Sequence, residues 1–510
     1  MSERDDQFLH ETSGLGEMTG HDQAAMIEAS RDDDPREGGR PAIGGERTAA
    51  HPADRAAPPL DIGTHGAPGE PQFGAADGLA RADSREMKKI SDAASSLALR
   101  NLRGLVILIV LALHSVLPYL RYARSSAVAF DQPPYEWRAF PIVDSQRWFG
   151  FDLFCAWQDV YLMSLMFFLS AVFAWPSLAR KGGRKFLGDR LLRLGAPFVF
   201  GVTVVTPLAL YPAYRMTAVD PSLIAYGRSL LALPFWPNGP MWFLWLLLAL
   251  TVVPAGLHRF APQWVAFLGR LSSDAAARPG RYFIGLTTVA AVAYVPLAIA
   301  FTPWNWSGQG PFSLQLSRPL LYAVYYLAGL GVGAHGLERG MLVPGGMLAR
   351  RWSVWLVGAL ASLLLWMGLA GLTLTYATSA PLVLQVAADV SFALAGASSF
   401  FFVMAACLRF GAIRSRLFDG LSRNAFGLYL LHYAPLVWQQ YALLDVPLSA
   451  FAKGMIVFGG TLLLAFVATV AIRLSRFGSR LIGEAPRALA SRPQGQSPGP
   501  TSPVGDARAI

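Results

Sequence analysis

Residues 100–120 read RNLRGLVILIVLALHSVLPYL. A hydrocarbon core of ~30 Å is crossed by about 20 mostly apolar residues in a helix. This stretch meets that requirement, and it carries two ionisable groups, Arg103 and His114. They are eleven residues apart, which at ~100° per residue brings both to nearly the same helix face, roughly 16 Å apart along the axis. An arginine at the bilayer centre costs roughly 2.5–3.5 kcal/mol on insertion scales. Arg103 escapes that cost by lying at the membrane edge. His114 lies too deep to do so, which makes it a functional candidate by default.

Working outward from this segment, further apolar runs fall near residues 157–177, 191–212, 240–257, 281–301, 318–336, 352–375, 382–408, 421–443 and 450–472. The chain is 510 residues long, 53% hydrophobic and only 15% charged, with mean hydropathy +0.38. Soluble domains carry about 25% charged residues. The fold expected is therefore all-α, a polytopic integral membrane protein of about ten transmembrane helices. Residues 1–90, rich in Gly, Pro, Ala and Asp as in SRDDDPREGGRPAIGGE, show no apolar periodicity and read as a disordered acidic tail. Residues 97–475 form the membrane domain, and 476–510 a basic to Pro/Ser/Gly-rich disordered tail. The first residues, MSERDDQFLHETSG, are polar and acidic, unlike a secretory signal peptide.

The net charge of +10 divides unevenly. Residues 1–89 hold 10 basic and 18 acidic side chains, and residues 90–510 hold 33 and 15. The basic excess belongs to the membrane part, where lysine and arginine set topology, and is not a nucleic-acid signal. Arg180, Lys181, Arg184, Lys185, Arg190 and Arg193 crowd the second connection. Arg259, Arg270 and Arg278 mark the fourth, Arg339, Arg350 and Arg351 the sixth, Arg409, Arg414 and Arg416 the eighth. The odd connections are mixed in charge or, as in FTPWNWSGQGPFSLQ, nearly uncharged, and hold tryptophan and tyrosine. The positive-inside rule then places both termini in the cytoplasm of a multi-pass protein of the inner (plasma) membrane.

On that topology LSRNAFGLYLLHYAPLVW, residues 421–438, also enters from the cytoplasm, with Arg423 at the edge and His432 nine residues deeper. His114 and His432 thus sit at similar depth on parallel spans. Arg103, His114 and His432 are expected to line one cavity open to the cytoplasm. As neutral imidazole, His114 is suited to general-base work, or else to a hydrogen bond with a neighbouring carbonyl. Arg103 either grips the phosphates of a donor or snorkels to headgroups. Asp389 is the one acid deep in the eighth span, where a buried carboxylate needs a partner. Ser170 lies inside the second span, where a lone serine usually bonds its own helix backbone. Two cysteines, Cys155 and Cys407, allow at most one disulfide and read as reduced core residues. There is no metal-ligand spacing, phosphate-binding glycine loop or nucleophile elbow.

Five segments in order resemble the acyltransferase 3 family of integral membrane acyltransferases. LRGLVILIVLALH carries an arginine, a ten-residue gap and a histidine, and MFFLSAVFAW at 166–175 is similar to the family's Phe-Phe-x-x-Ser-Gly pattern, with Ala171 where glycine is usual. FLGDRLLRLGAPF at 186–198, GPMWFLWLLL at 239–248 and SRNAFGLYLLH at 422–432 complete the match. The long first outer loop and the basic stretch are similar to the subgroup of glucan-succinylating membrane proteins. The resemblance implies transfer of an acetyl, succinyl or similar group from a cytoplasmic acyl donor, with acyl-coenzyme A as cosubstrate and no bound cofactor. The acceptor implied is a hydroxyl of a carbohydrate or lipid-linked glycan. His114 carries over as the catalytic residue, as base or as acyl carrier, Arg103 as its motif partner, Arg190 and Arg193 as donor contacts, and His432 as a further site candidate; Ser170 and Asp389 are further candidates from the residues themselves. The alternative reading is a proton-coupled transporter or exporter of a small anion or glycolipid, with the histidines as proton relays.

Overall fold

The structure, a computed structural model, describes residues 97–123, 126–336, 340–376 and 379–482, without the side chains of 476 and 477. Residues 1–90 and 483–510 and Arg339, assigned above from sequence, lie outside the described residues; the start of the expected C-terminal tail is a short helix, Arg476–Leu481. The architecture is helical: α1 Leu97–Tyr119, α2 Phe149–Lys181, α3 Gly183–Arg215, α4 Leu223–Ala232, α5 Gly239–Phe260, α6 Pro262–Ala277, α7 Pro279–Phe301 and α8 Pro319–His335. There follow α9 Trp352–Thr373, α10 Leu382–Phe410, α11 Arg416–Leu431, α12 Tyr433–Ala442 and α13 Ala450–Arg473. One two-stranded ribbon, Trp306–Ser307 against Leu314–Gln315, closes the loop before α8.

Among the described residues, eight helices (α1, α2, α3, α5, α7, α9, α10 and α13) are long and apolar enough to cross a membrane. The other two of the ten expected spans are helical but differ in form. The run at 318–336 becomes the 17-residue α8. The run at 421–443 is broken at His432 into α11 and α12. Pro435 explains the break, because it has no N–H to return to the carbonyl of Leu431. The sequence also concealed α6, a helix packed against α8 through Leu268 and Gly331.

Glycines set the tightest packing. A Cβ at Gly329 would stand 2.3 Å from the carbonyl oxygen of Phe168, and one at Gly333 2.2 Å from that of Val172. Only glycine lets the α8 backbone lie on α2 in this way, the small-residue contact expected between membrane helices. Ala171, which replaces the expected glycine, is fully buried against Gly329, so the close approach comes from α8.

Helix α3 widens into π-turns at Leu191–Gly195 and Gly201–Val205. Pro197 and Pro207 follow each by two residues; a proline cannot donate to the carbonyl four residues back, and a wider turn absorbs the lost bond. On the opposite face of the molecule from the basic connections, Asp144 in the long loop after α1 pairs with Lys453 of α13 at 2.7 Å, both side chains 1% exposed. Lys453 also donates to the Leu444 carbonyl at 3.0 Å, so this pair ties the loop to α13. Helix α9 turns Val354, Val357, Leu360 and Leu364 outward, an apolar surface suited to lipid.

Candidate functional site

Helices α1 and α11–α12 run side by side. The Asn101 amide donates to the carbonyls of Gly411 and Ile413 at 2.8 Å each, and the Ser422 hydroxyl to that of Arg100 at 2.8 Å. Further along, the Gln440 amide donates to the His114 carbonyl at 2.8 Å. This parallel register brings the two histidines together, with ring centroids 5.2 Å apart and planes at 59°. The sequence placed them at one depth; the packing makes them neighbours.

The ring nitrogens have defined roles. His114 Nδ1 is 2.8 Å from the Val110 carbonyl and His432 Nδ1 is 2.6 Å from that of Tyr429. A carbonyl only accepts, so in each ring Nδ1 carries the proton and donates. His114 Nε2 is left with a lone pair, and the ring lines a cavity of about 90 Å³. His432 is fully buried, and its Nε2 has no hydrogen-bond partner among the described residues.

The small cavity is walled by Val110, Leu113, Leu162 and Met163, with Gln158, Asp159, Trp242 and Tyr429 as its polar or aromatic members. The Asp159 carboxylate is gripped at both oxygens by Arg318, at 2.8 and 2.7 Å. A second cavity, of about 410 Å³, lies toward the basic end and is lined by Arg103, Lys181, Asp189, Arg190 and Arg193. Lys181 is paired with Asp189, which leaves three arginines to set the sign of this cavity. Arg103 and Arg193 are exposed there, and Arg190 and Arg103 lie over the rings of Phe186 and Phe173 at 5.2 and 5.7 Å. Met166, Phe243 and Tyr429 line both cavities, so the two meet at these three side chains.

The single shared chamber expected from sequence is therefore two cavities in series. Arg103 lines the large one and His114 the small one. His432 lines neither; its ring is fully buried behind that of His114. Ser170 lines the large cavity while its hydroxyl donates to the Met166 carbonyl at 2.8 Å, the backbone bond expected of a lone serine. Asp389 is buried on α10 away from both cavities, and Arg318 is engaged by Asp159 instead. Both cysteines are free. Sequence reading missed Gln158, Asp159 and Tyr429. The one available signal was that Gln158 and Asp159 are adjacent polar residues inside a helix that crosses a membrane.

Two cavities end to end, one bordered by arginines and one holding a histidine with a free nitrogen, lie inside a polytopic membrane protein. The profile of the acyltransferase 3 family, described as an acyltransferase domain, matches residues 96–470. The chain belongs to this family of membrane acyltransferases. Comparison with curated proteins, and separately with solved structures, finds no match.

Proposed function

We propose that this protein moves an acetyl, succinyl or similar acyl group from acyl-coenzyme A on the cytoplasmic side of the inner (plasma) membrane to a hydroxyl of a carbohydrate or lipid-linked glycan. The observation that carries the reading is the free Nε2 of His114 in a small cavity that adjoins an arginine-lined one across Met166, Phe243 and Tyr429. Arg190, Arg193 and Arg103 take the phosphates of the donor, where guanidinium groups form strong charge-assisted hydrogen bonds. The thioester arm passes Met166, Phe243 and Tyr429 into the small cavity. His114 Nε2 accepts the acceptor's hydroxyl proton as its oxygen bonds to the thioester carbonyl carbon. The carbon–sulfur bond then breaks, and the leaving thiolate takes the proton from His114.

Arg103 acts in this scheme on the donor, since it lies in the other cavity from His114. His432 is a positioning residue: its ring backs His114, and its Nδ1 holds the turn that carries Tyr429. Radiolabelled acyl-coenzyme A given to membranes containing the wild type should label a glycan or glycolipid, and His114→Ala should abolish the labelling. Undiminished label with the variant overturns the mechanism, and uptake or efflux without covalent label favours a proton-coupled transporter.

A further inference from the structure

We propose that the side-chain amide of Gln158 is the hydrogen-bond donor that meets the carbonyl oxygen of the reacting thioester; this rests on the acyl-transfer reading above. Gln158 is 2% exposed and lines the small cavity with His114. Its Oε1 accepts from the Tyr161 hydroxyl at 2.8 Å. The two residues are three apart on α2 and share a face, and Tyr161 is itself 1% exposed. With the oxygen pinned, the opposite edge of the amide presents its N–H groups elsewhere. Nε2 has no hydrogen-bond partner among the described residues, and it is not among the sealed atoms that lack one. A buried N–H without an acceptor is unfavourable until something in the cavity accepts from it.

The other walls narrow the choice. The Tyr429 hydroxyl is already bonded to the Pro240 carbonyl. Asp159 only accepts, and His114 is needed with its lone pair free. The indole of Trp242 is the remaining donor in the cavity wall, and it is the control for the proposal. Arg318 fixes the backbone beside Gln158, reaching the Asp159 carbonyl at 3.3 Å as well as both carboxylate oxygens. That clamp offsets the Asp159 charge near the developing anion. It also holds the amide on a rigid helix, and preorganised donors of this kind are what stabilise an oxyanion.

When the acceptor oxygen bonds to the carbonyl carbon, the carbonyl π pair moves onto its oxygen, and a Gln158 N–H donates to that anion. The pair returns as the carbon–sulfur bond breaks. Gln158 gains and loses no proton, so an amide suffices.

The test uses the full chain in lipid nanodiscs, with acetyl-coenzyme A labelled with ¹³C at the thioester carbonyl as the probe. In the wild type the bound carbonyl stretch should lie below its value in solution. In Gln158→Leu, and in the isosteric Gln158→Glu, it should return to the solution value while the probe stays bound. Release of coenzyme A should fall in kcat by roughly 10²–10³ with KM little changed. Tyr161→Phe, which unpins the amide, should lose less. Thermal melting identifies any variant that has lost its fold, and the remaining two then decide. The proposal is overturned if Gln158→Leu keeps the shifted band, or if Trp242→Phe alone removes it. Failure of the wild type to bind the probe would instead overturn the acyl-donor reading itself.

Discussion

The two cavities differ in every property that matters to their work. The larger, about 410 Å³, is bordered by exposed arginines and holds its charge near water. The smaller, about 90 Å³, is bordered mostly by apolar side chains, and the charge in its wall, Asp159, is held at both oxygens by Arg318. Water screens charge and lowers the energy of exposing it, so a cationic entry can be built from several arginines at little expense. A small chamber walled mostly by apolar side chains strengthens every remaining electrostatic contact, so one free imidazole nitrogen and one amide have large effects there. On the function proposed above, binding falls to the arginine-lined end and bond-making to the small cavity.

The comparison breaks first at His114. His114→Ala should lower acyl transfer by roughly 10²–10⁴, the range for a general base, with donor binding retained. Equal loss of donor affinity in a titration would mean that the two cavities do not divide the work. Next comes the wall of the small cavity. Asp159→Ala leaves Arg318 buried without its carboxylate, and removing one partner of a buried pair costs about 3–5 kcal/mol. A sharply lowered melting temperature is expected. Asp144→Ala, at the more deeply buried pair with Lys453, should show a loss of stability at least as large.

At the arginine-lined end, Arg190→Gln and Arg193→Gln should each raise the donor KM by roughly tenfold or more, the effect of losing one hydrogen bond to a charged group. The loss should shrink as salt rises, because exposed charges are screened. A fall in kcat at unchanged KM would place these arginines in the chemistry instead. The smallest effect is expected at Ser170. Its hydroxyl is bonded to its own helix, so Ser170→Ala should change kcat/KM by less than about twofold, and a larger loss would give that hydroxyl a part in donor binding.

Much of this arrangement was legible one helix at a time. The spacing of Arg103 and His114, the matching depth of His432 and the arginines at 190 and 193 all followed from apolar length and charge. Ser170 behaved as a lone membrane serine does. What could not be read was how residues on different helices face one another. Arg103 and His114 share a helix face yet serve different cavities, because Met166, Phe243 and Tyr429 from α2, α5 and α11 come between them. His432, at the right depth, is buried behind His114. Asp389 was expected to need a partner inside the membrane, but Arg318 is held by Asp159, at the start of an apolar run.

By itself the amino-acid sequence determined that this chain crosses a membrane as helices. Backbone groups in hydrocarbon have no water to bond, so long apolar runs close their hydrogen bonds internally. It also determined which ionisable groups stand on which helix. Only the tertiary structure decided which of those groups meet. Lipid and protein interior are equally apolar, so a membrane helix is greasy on every side and no stripe marks its inner face. That choice was made by close packing, through Gly329 and Gly333 of α8 against α2 and through α1 laid along α11, and it is what set His114, Gln158 and Asp159 around one small cavity.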